Sequence, residues 1–438
     1  MSSSEYKRRR RRLLKAIGPG SVAILSAAPE RVRNRDVHYP YRQDSDFAYL
    51  TGFMEPESLL VLAPGRKQGE YVLFCRPRDE KKEIWDGRRA GVEGARAHFG
   101  ASEAHPIEDV DVELPKLLEN RERIYYPLGR DPELDRRVMD WIQVVKGRAR
   151  AGIRAPEELV SLDRVLHEHR LFKSSSELKT MRRAARISAE AHRQVMRACR
   201  PEMWEYELEA RFVQVCAERG GRFQAYPPIV GSGANACVLH YVDNRHRLVD
   251  GDLVLIDAGC ELEGYASDIT RTFPVNGRFA HAQRELYELV LAAQQAAIGK
   301  AVPGNRWDDP HREAVRVLTR GLVELGVLEG NGKRLSKLIK EERYKPYFMH
   351  RTGHWLGMDV HDVGEYKMKG KWRLLEPGMV LTVEPGLYIG GEREEVPERY
   401  RSIGIRVEDD VAITEDGNEV LSADVPKSVA DIETWMAG

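Results

Sequence analysis

A chain of 438 residues, 42% hydrophobic and 32% charged, is too long for one ordinary core and has the composition of a soluble two-domain protein. Its 69 Lys+Arg balance its 69 Asp+Glu, which argues against a nucleic-acid binder that relies on a broad basic field. No apolar run approaches the roughly 18–20 residues of a membrane helix. The five cysteines include no CxxC and follow no secretory signal, so they read as reduced, mostly buried thiols of a cytoplasmic protein.

The basic run Lys7 to Arg12 leads into Leu13 and Leu14, and Gly18–Pro19 ends the segment, which predicts a solvated first helix. Short apolar runs at residues 22–27, 59–62, 71–74 and 124–126 end in proline, glycine or charge, as buried strands do. Helical stretches over 113–119 and 132–145 lie between or after them. The expectation for residues 1–172 is an α/β domain. Near Leu171–Ser176 the pattern changes. Ser174 with Glu177 is a capping-box pair, and Leu178, Met181, Ala184, Ile187, Ala191 and Val195 follow at helical spacing. A long amphipathic helix therefore opens a second domain, residues 173–438. Helices are expected at about 283–299 and 310–325, with strands at 253–256, 269–273, 380–383 and 405–407. Helices and strands segregate there, giving an α+β layer arrangement.

The second domain places carboxylates beside apolar runs. Leu253-Val-Leu-Ile256 leads directly into Asp257, and Asp268 heads another strand-like run. Glu384 ends Met379-Val-Leu-Thr-Val383 before the break at Pro385–Gly386. Alternation in Ile403-Gly-Ile-Arg-Val-Glu408 puts Arg406 and Glu408 on one face. Carboxylates in such settings are costly unless paired or metal-bound. His354 is the fifth candidate ligand, in a stretch that Gly353 and Gly357 keep from being one helix. Arg351 after His350 breaks the HExxH pattern, so a zincin is excluded. Four carboxylates balance two divalent cations, and an oxygen-rich set with one imidazole suits Mn²⁺ or Co²⁺. Two such ions, roughly 3.5–4 Å apart, can activate one water and polarise a carbonyl.

These residues resemble aminopeptidase P, the Xaa-Pro aminopeptidase of the pita-bread metallopeptidases, and the likeness covers nearly the whole chain. Tyr39-Pro-Tyr-Arg-Gln-Asp-Ser-Asp46, Thr51-Gly-Phe53 and Glu83-Ile-Trp-Asp-Gly-Arg88 are similar to that family's N-terminal domain. Gly231-Ser-Gly233, His240–Tyr241, 253–259, 264–274, 350–362, Val383-Glu-Pro-Gly-Leu-Tyr388 and Gly404-Ile-Arg-Val-Glu408 are similar to its catalytic domain. The resemblance implies a creatinase-like catalytic fold, two Mn²⁺ ions with Co²⁺ or Zn²⁺ as substitutes, and a homodimer or homotetramer. It makes Asp257, Asp268, His354, Glu384 and Glu408 the ligands, with Asp268 and Glu408 bridging. It also makes Glu384 the acceptor of the attacking water's proton. His240 and His361 would bind substrate and stabilise the oxyanion, and His350 would shape the prolyl site. Tyr226, Tyr388 and Arg406 would line or order the site, and Trp85 would reach a neighbouring subunit. The substrate it implies is a peptide with proline second; composition and spacing say nothing of proline. Prolidase, restricted to Xaa-Pro dipeptides, is the competing reading, and a non-catalytic peptide-binding module on the same fold is a distant one.

Overall fold

In the computed structural model, which describes residues 1–330 and 334–438, the chain divides into two units, Met1–His169 and Arg170–Gly438. The first is built on a six-stranded sheet. Its strand order is Glu103–Pro106, Tyr71–Cys75, Leu59–Leu62, Ser21–Ser26, Arg123–Tyr126, Glu158–Ser161. Ser21–Ser26 runs antiparallel to Leu59–Leu62 and parallel to Arg123–Tyr126, so the sheet is mixed. Its central strands are buried along their length, as strands covered on both faces must be. Val22, Val61, Val72 and Phe74 share a core with Leu114, Leu118, Val138 and Trp141 of the helices Val110–Leu118 and Pro132–Lys146.

The basic N-terminal run is helical over Ser3–Ile17, but it is not wholly solvated. Arg9 and Arg10 are buried. Arg9 Nη1 donates to Tyr49 O at 3.0 Å and Arg10 Nη1 to Leu50 O at 2.7 Å, in the last turn of the helix Ser45–Thr51. Carbonyls at a helix C-terminus lack intrahelical donors and carry negative partial charge, so two guanidinium groups satisfy them. The same groups lie 4.1 Å from the ring centroids of Tyr49 and Tyr71.

In the second unit the capping box forms: Glu177 N donates to Ser174 Oγ at 3.3 Å and Ser174 N to Glu177 Oε2 at 3.0 Å. It starts the helix Ser175–Ala198, which lays Met181, Ala184, Ala191 and Val195 into the core. The helices Glu205–Glu218, His281–Ile298 and Asp309–Glu324 extend the helical layer, with the shorter Leu335–Lys340 and Val429–Ala437. Against it stand short antiparallel sheets. Ile229–Ser232, Leu253–Asp257 and Thr270–Pro274 form one; Val380–Val383, Asp409–Ile413 and Asn418–Val420 form a second; Gly386–Ile389 with Ile403–Arg406 forms a third. Phe212, Ile256, Ile269, Phe273, Leu381 and Val411 meet in one core. Strand and helix segregate as expected of an α+β catalytic domain.

One strand ends earlier than its alternation predicts. Ile403–Arg406 pairs with Gly386–Ile389, whereas Asp409–Ile413 pairs with Val380–Val383. Glu408 therefore lies in the crossing between two ribbons rather than in a strand. Its N–H donates to Thr270 O at 3.1 Å, and that of Val407 to Pro385 O at 3.3 Å. Arg406 and Glu408 nonetheless face the same cavity. No helix among the described residues is long and apolar enough to cross a membrane.

Candidate metal centre

The register of the Leu253–Asp257 sheet brings the first two carboxylates together. Asp257 ends its strand opposite Thr270, two residues beyond Asp268. Tyr226 OH lies between them, 2.6 Å from Asp257 Oδ1 and 2.5 Å from Asp268 Oδ1. One donor atom each from Asp268, His354 and Glu408 fall within 4.8 Å of one another. His354 Nε2 is 3.3 Å from Asp268 Oδ2 and 3.5 Å from Glu384 Oε1. All five predicted ligands thus line one cavity of about 460 Å³ in the second unit.

Neighbouring groups fix each of them. Thr270 Oγ1 donates to Glu408 Oε2 at 2.5 Å and accepts from Arg406 Nε at 3.1 Å. Thr382 Oγ1 donates to Glu384 Oε1 and accepts from His354 N, each at 3.1 Å. Asp268 N donates to Asp410, 3.2 and 3.3 Å from its two oxygens. His354 Nδ1 lies 3.0 Å from Trp355 O, so a proton sits on Nδ1 and Nε2 is the nitrogen that faces the carboxylates and would ligate a metal. A side chain at Gly353 would come within 2.1 Å of Thr382 O, which is why glycine stands before His354.

The charge balance shows what this set needs. Burial pushes Asp257 up against the pull of Arg406, and pushes Glu384 up to about 7 against His354. Glu408 is raised well above the carboxylate range by burial and by Asp268. Burial opposes a charge on His354, but Asp268 and Glu384 outweigh it and lift it to about 9. Asp268, also pushed up by burial, is held low by His354. Without cations the cluster must take up protons to offset its negative charge. Divalent cations supply that charge, and a set of carboxylate oxygens with one imidazole fits hard or borderline ions.

The remaining candidates surround the cluster. His350 Nδ1 lies 2.7 Å from Arg351 O and Nε2 2.9 Å from Tyr388 OH. Burial and Arg406 push His350 down to about 3, so it is neutral. Tyr388 is buried and meets the cavity's residues rather than its space: its oxygen accepts from Arg406 Nη1 at 2.9 Å. His240, His350 and His361 line the cavity, as do Tyr226 and Arg406. The His361 ring stands edge-on to His354, centroids 4.2 Å apart, and burial lowers its pKa. Pro227, Ile229, Leu239, Val242 and Val360 form an apolar wall that the sequence reading missed. It also missed Thr270 and Thr382. The alternation Asp268, Thr270, Thr272 against Ile269, Arg271, Phe273 carried a signal for the first of these. Trp85 lies in the first unit, on the helix Glu80–Asp86, and is 86% exposed.

Residues 179–415 match metallopeptidase family M24. The chain belongs to that family. Ahead of the M24 segment, residues 6–125 match the aminopeptidase P N-terminal domain. The chain is 46% identical over 437 residues to the Xaa-Pro aminopeptidase of Escherichia coli (strain K12), covering all of this chain and 98% of that one. The structure of Pseudomonas aeruginosa aminopeptidase PepP shares 55% identity with a TM-score of 0.98, over 100% of this chain and 98% of its own. Zn-substituted E. coli aminopeptidase P in complex with product shares 46% identity at a TM-score of 0.96, with the same coverage. The M24 assignment bears out the resemblance drawn from the motifs, and with it the pita-bread fold of the catalytic domain.

Proposed function

We propose that this chain is a metal-dependent Xaa-Pro aminopeptidase, hydrolysing the bond between an N-terminal residue and a following proline. The observation that carries the reading is the convergence of four carboxylates and one imidazole, with three further histidines, on a single apolar-walled cavity. Two divalent cations held by Asp257, Asp268, His354, Glu384 and Glu408, most simply Mn²⁺ with Co²⁺ or Zn²⁺ as substitutes, would supply the charge that acidifies water and polarises the scissile carbonyl.

The chain's own residues do the rest. Thr382 holds one oxygen of Glu384, leaving the other to take the proton of the attacking water. His240 and His361 offer N–H groups to the oxygen on which charge develops. His350, kept neutral and fixed by Tyr388, borders the space for the prolyl ring. Proline has no N–H, so the apolar wall leaves no amide donor unsatisfied. The same reading makes residues 1–172 an oligomerisation and site-shaping domain of a cytoplasmic homodimer or homotetramer. The exposure of Trp85 supports its use by a neighbouring protomer.

The test compares an Xaa-Pro-Yaa tripeptide with its Xaa-Pro dipeptide on the metal-loaded protein. Efficient tripeptide cleavage is expected. Cleavage of the dipeptide alone would make the enzyme a prolidase, and tight peptide binding without turnover would make it a binding module.

A further inference from the structure

Glu205 opens the helix Glu205–Glu218 and is fully buried, and its carboxylate bonds to Ser232, Asn235, Tyr241 and His246 rather than to a residue that would hold metal. Five donors converge on its carboxylate. Oε1 accepts from Ser232 N and Ser232 Oγ, both at 2.8 Å, and from Asn235 Nδ2 at 3.2 Å. Oε2 accepts from Tyr241 OH at 2.8 Å and His246 N at 2.9 Å. Its own N–H donates to His246 O at 2.9 Å. All five donors are uncharged. A buried carboxylate is costly unless its lone pairs are filled, and here neutral donors fill them at a helix N-terminus, where the backbone favours negative charge.

The donors come from separate parts of one connection. Ser232 ends the strand Ile229–Ser232, Asn235 lies in the 3₁₀ turn Gly233–Cys237, and Tyr241 and His246 follow on the way to Leu253–Asp257. The carboxylate therefore ties both ends of the 233–246 connection to the start of one helix. Tyr241 points to Glu205, while Leu239, His240 and Val242 on either side of it line the cavity.

We infer that Glu205 is a positioning residue: through Tyr241, Ser232 and Asn235 it sets the loop that presents His240 and part of the apolar wall to substrate. The catalytic consequence rests on the function proposed above; the anchoring of the loop does not.

The test uses the full metal-loaded chain with Glu205→Gln, Tyr241→Phe, His240→Ala and the double variants. Gln keeps the shape but turns an amide toward donors, and Phe removes one spoke only. Hydrogen exchange across 233–246 should rise about tenfold in Glu205→Gln and less in Tyr241→Phe, with exchange over 350–362 unchanged. On an Xaa-Pro-Yaa tripeptide, Glu205→Gln should lower kcat/KM about 10- to 100-fold. In the His240→Ala background the same change should cost less than about threefold, because residues acting through one another are not additive. Unchanged exchange in both variants overturns the anchoring. An equal activity loss in both backgrounds overturns the route through His240. If Glu205→Gln does not fold, Tyr241→Phe carries both measurements. If the wild type cleaves no such peptide, the proposed function fails while the exchange result still decides the anchoring.

Discussion

Arg406 Nη2 lies 2.5 Å from Asp257 Oδ2, while Nη1 of the same guanidinium donates to Tyr388 OH at 2.9 Å. With Nε on Thr270, one buried side chain organises an acidic candidate ligand, the partner of Glu408 and the partner of His350. Charge alone does not explain that arrangement; the planar fork does. Arg406→Lys keeps the charge and loses the fork. We expect kcat/KM to fall about 10- to 100-fold while bound metal, measured by mass spectrometry of the ions, stays near the wild-type level. Full activity in this variant would show that only the charge matters.

Cation binding should read out as stability. Cations that bind the folded chain shift unfolding by mass action, by about 2.7 kcal/mol when free ion is 100 times its dissociation constant. Chelation should therefore abolish activity and lower Tm, and added Mn²⁺ should restore both. Asp268→Asn removes a carboxylate that contacts Tyr226 and His354 at once. It should flatten the Mn²⁺ dependence of Tm. A Tm that ignores Mn²⁺ in the wild type would count against the cluster as a metal site.

The candidate ligands were legible because each carboxylate adjoins an apolar run, which makes its burial a local property of the sequence. What escaped depends on contacts far apart in the chain. The strand read through Ile403–Glu408 holds to Arg406 and stops there, because Glu408 sits where the chain leaves one ribbon for another, a change of partner that no alternation records. Leu239, Val242 and Val360 come from loops, where no period marks a buried face. Arg9 and Arg10 look like solvated charge, and their burial depends on the helix end, the tyrosine rings and, for Arg9, Glu5, none of which the run itself reveals. Glu205 resembles any first-turn glutamate until Tyr241 and His246 close over it.

Behind the cluster, Arg271 and Asp409 pair at 2.7 Å with both side chains wholly buried. Lys427 Nζ at 2.6 Å, Ser422 Oγ at 2.7 Å and Gln294 Nε2 at 2.7 Å complete the shell around the carboxylate. Burial pushes Asp409 up, but Arg271 and Lys427 outweigh it and hold it at about 2. Arg271 also donates to the backbone oxygens of Thr270 and Glu408, joining the segments that carry two candidate ligands. Asp409→Ala strands a buried guanidinium and should cost about 3–5 kcal/mol in urea unfolding. Glu133→Ala, which breaks the exposed pair with Arg136, should leave the midpoint unchanged. Similar midpoints for the two variants would mean the buried pair is dispensable.

His192 gives the pH dependence its sign. It is fully buried, its Nε2 3.0 Å from Ala258 O and its ring edge-on to Phe212 at 5.0 Å, and burial lowers it from 6.5 to about 3. The folded pKa lies below the unfolded one, so the fold requires the neutral ring. Its contribution is complete above pH 6.5 and is lost as pH falls toward 3, on the order of 3 kcal/mol by pH 4. Gln at this position can donate to Ala258 O but has no proton to gain. Urea unfolding of chelated wild type and His192→Gln between pH 7 and 4 should therefore converge: the wild type starts ahead and loses stability faster as the ring is forced to charge. Parallel curves would locate the acid sensitivity in other groups, His311 and His350 first, since burial pushes both down to about 3.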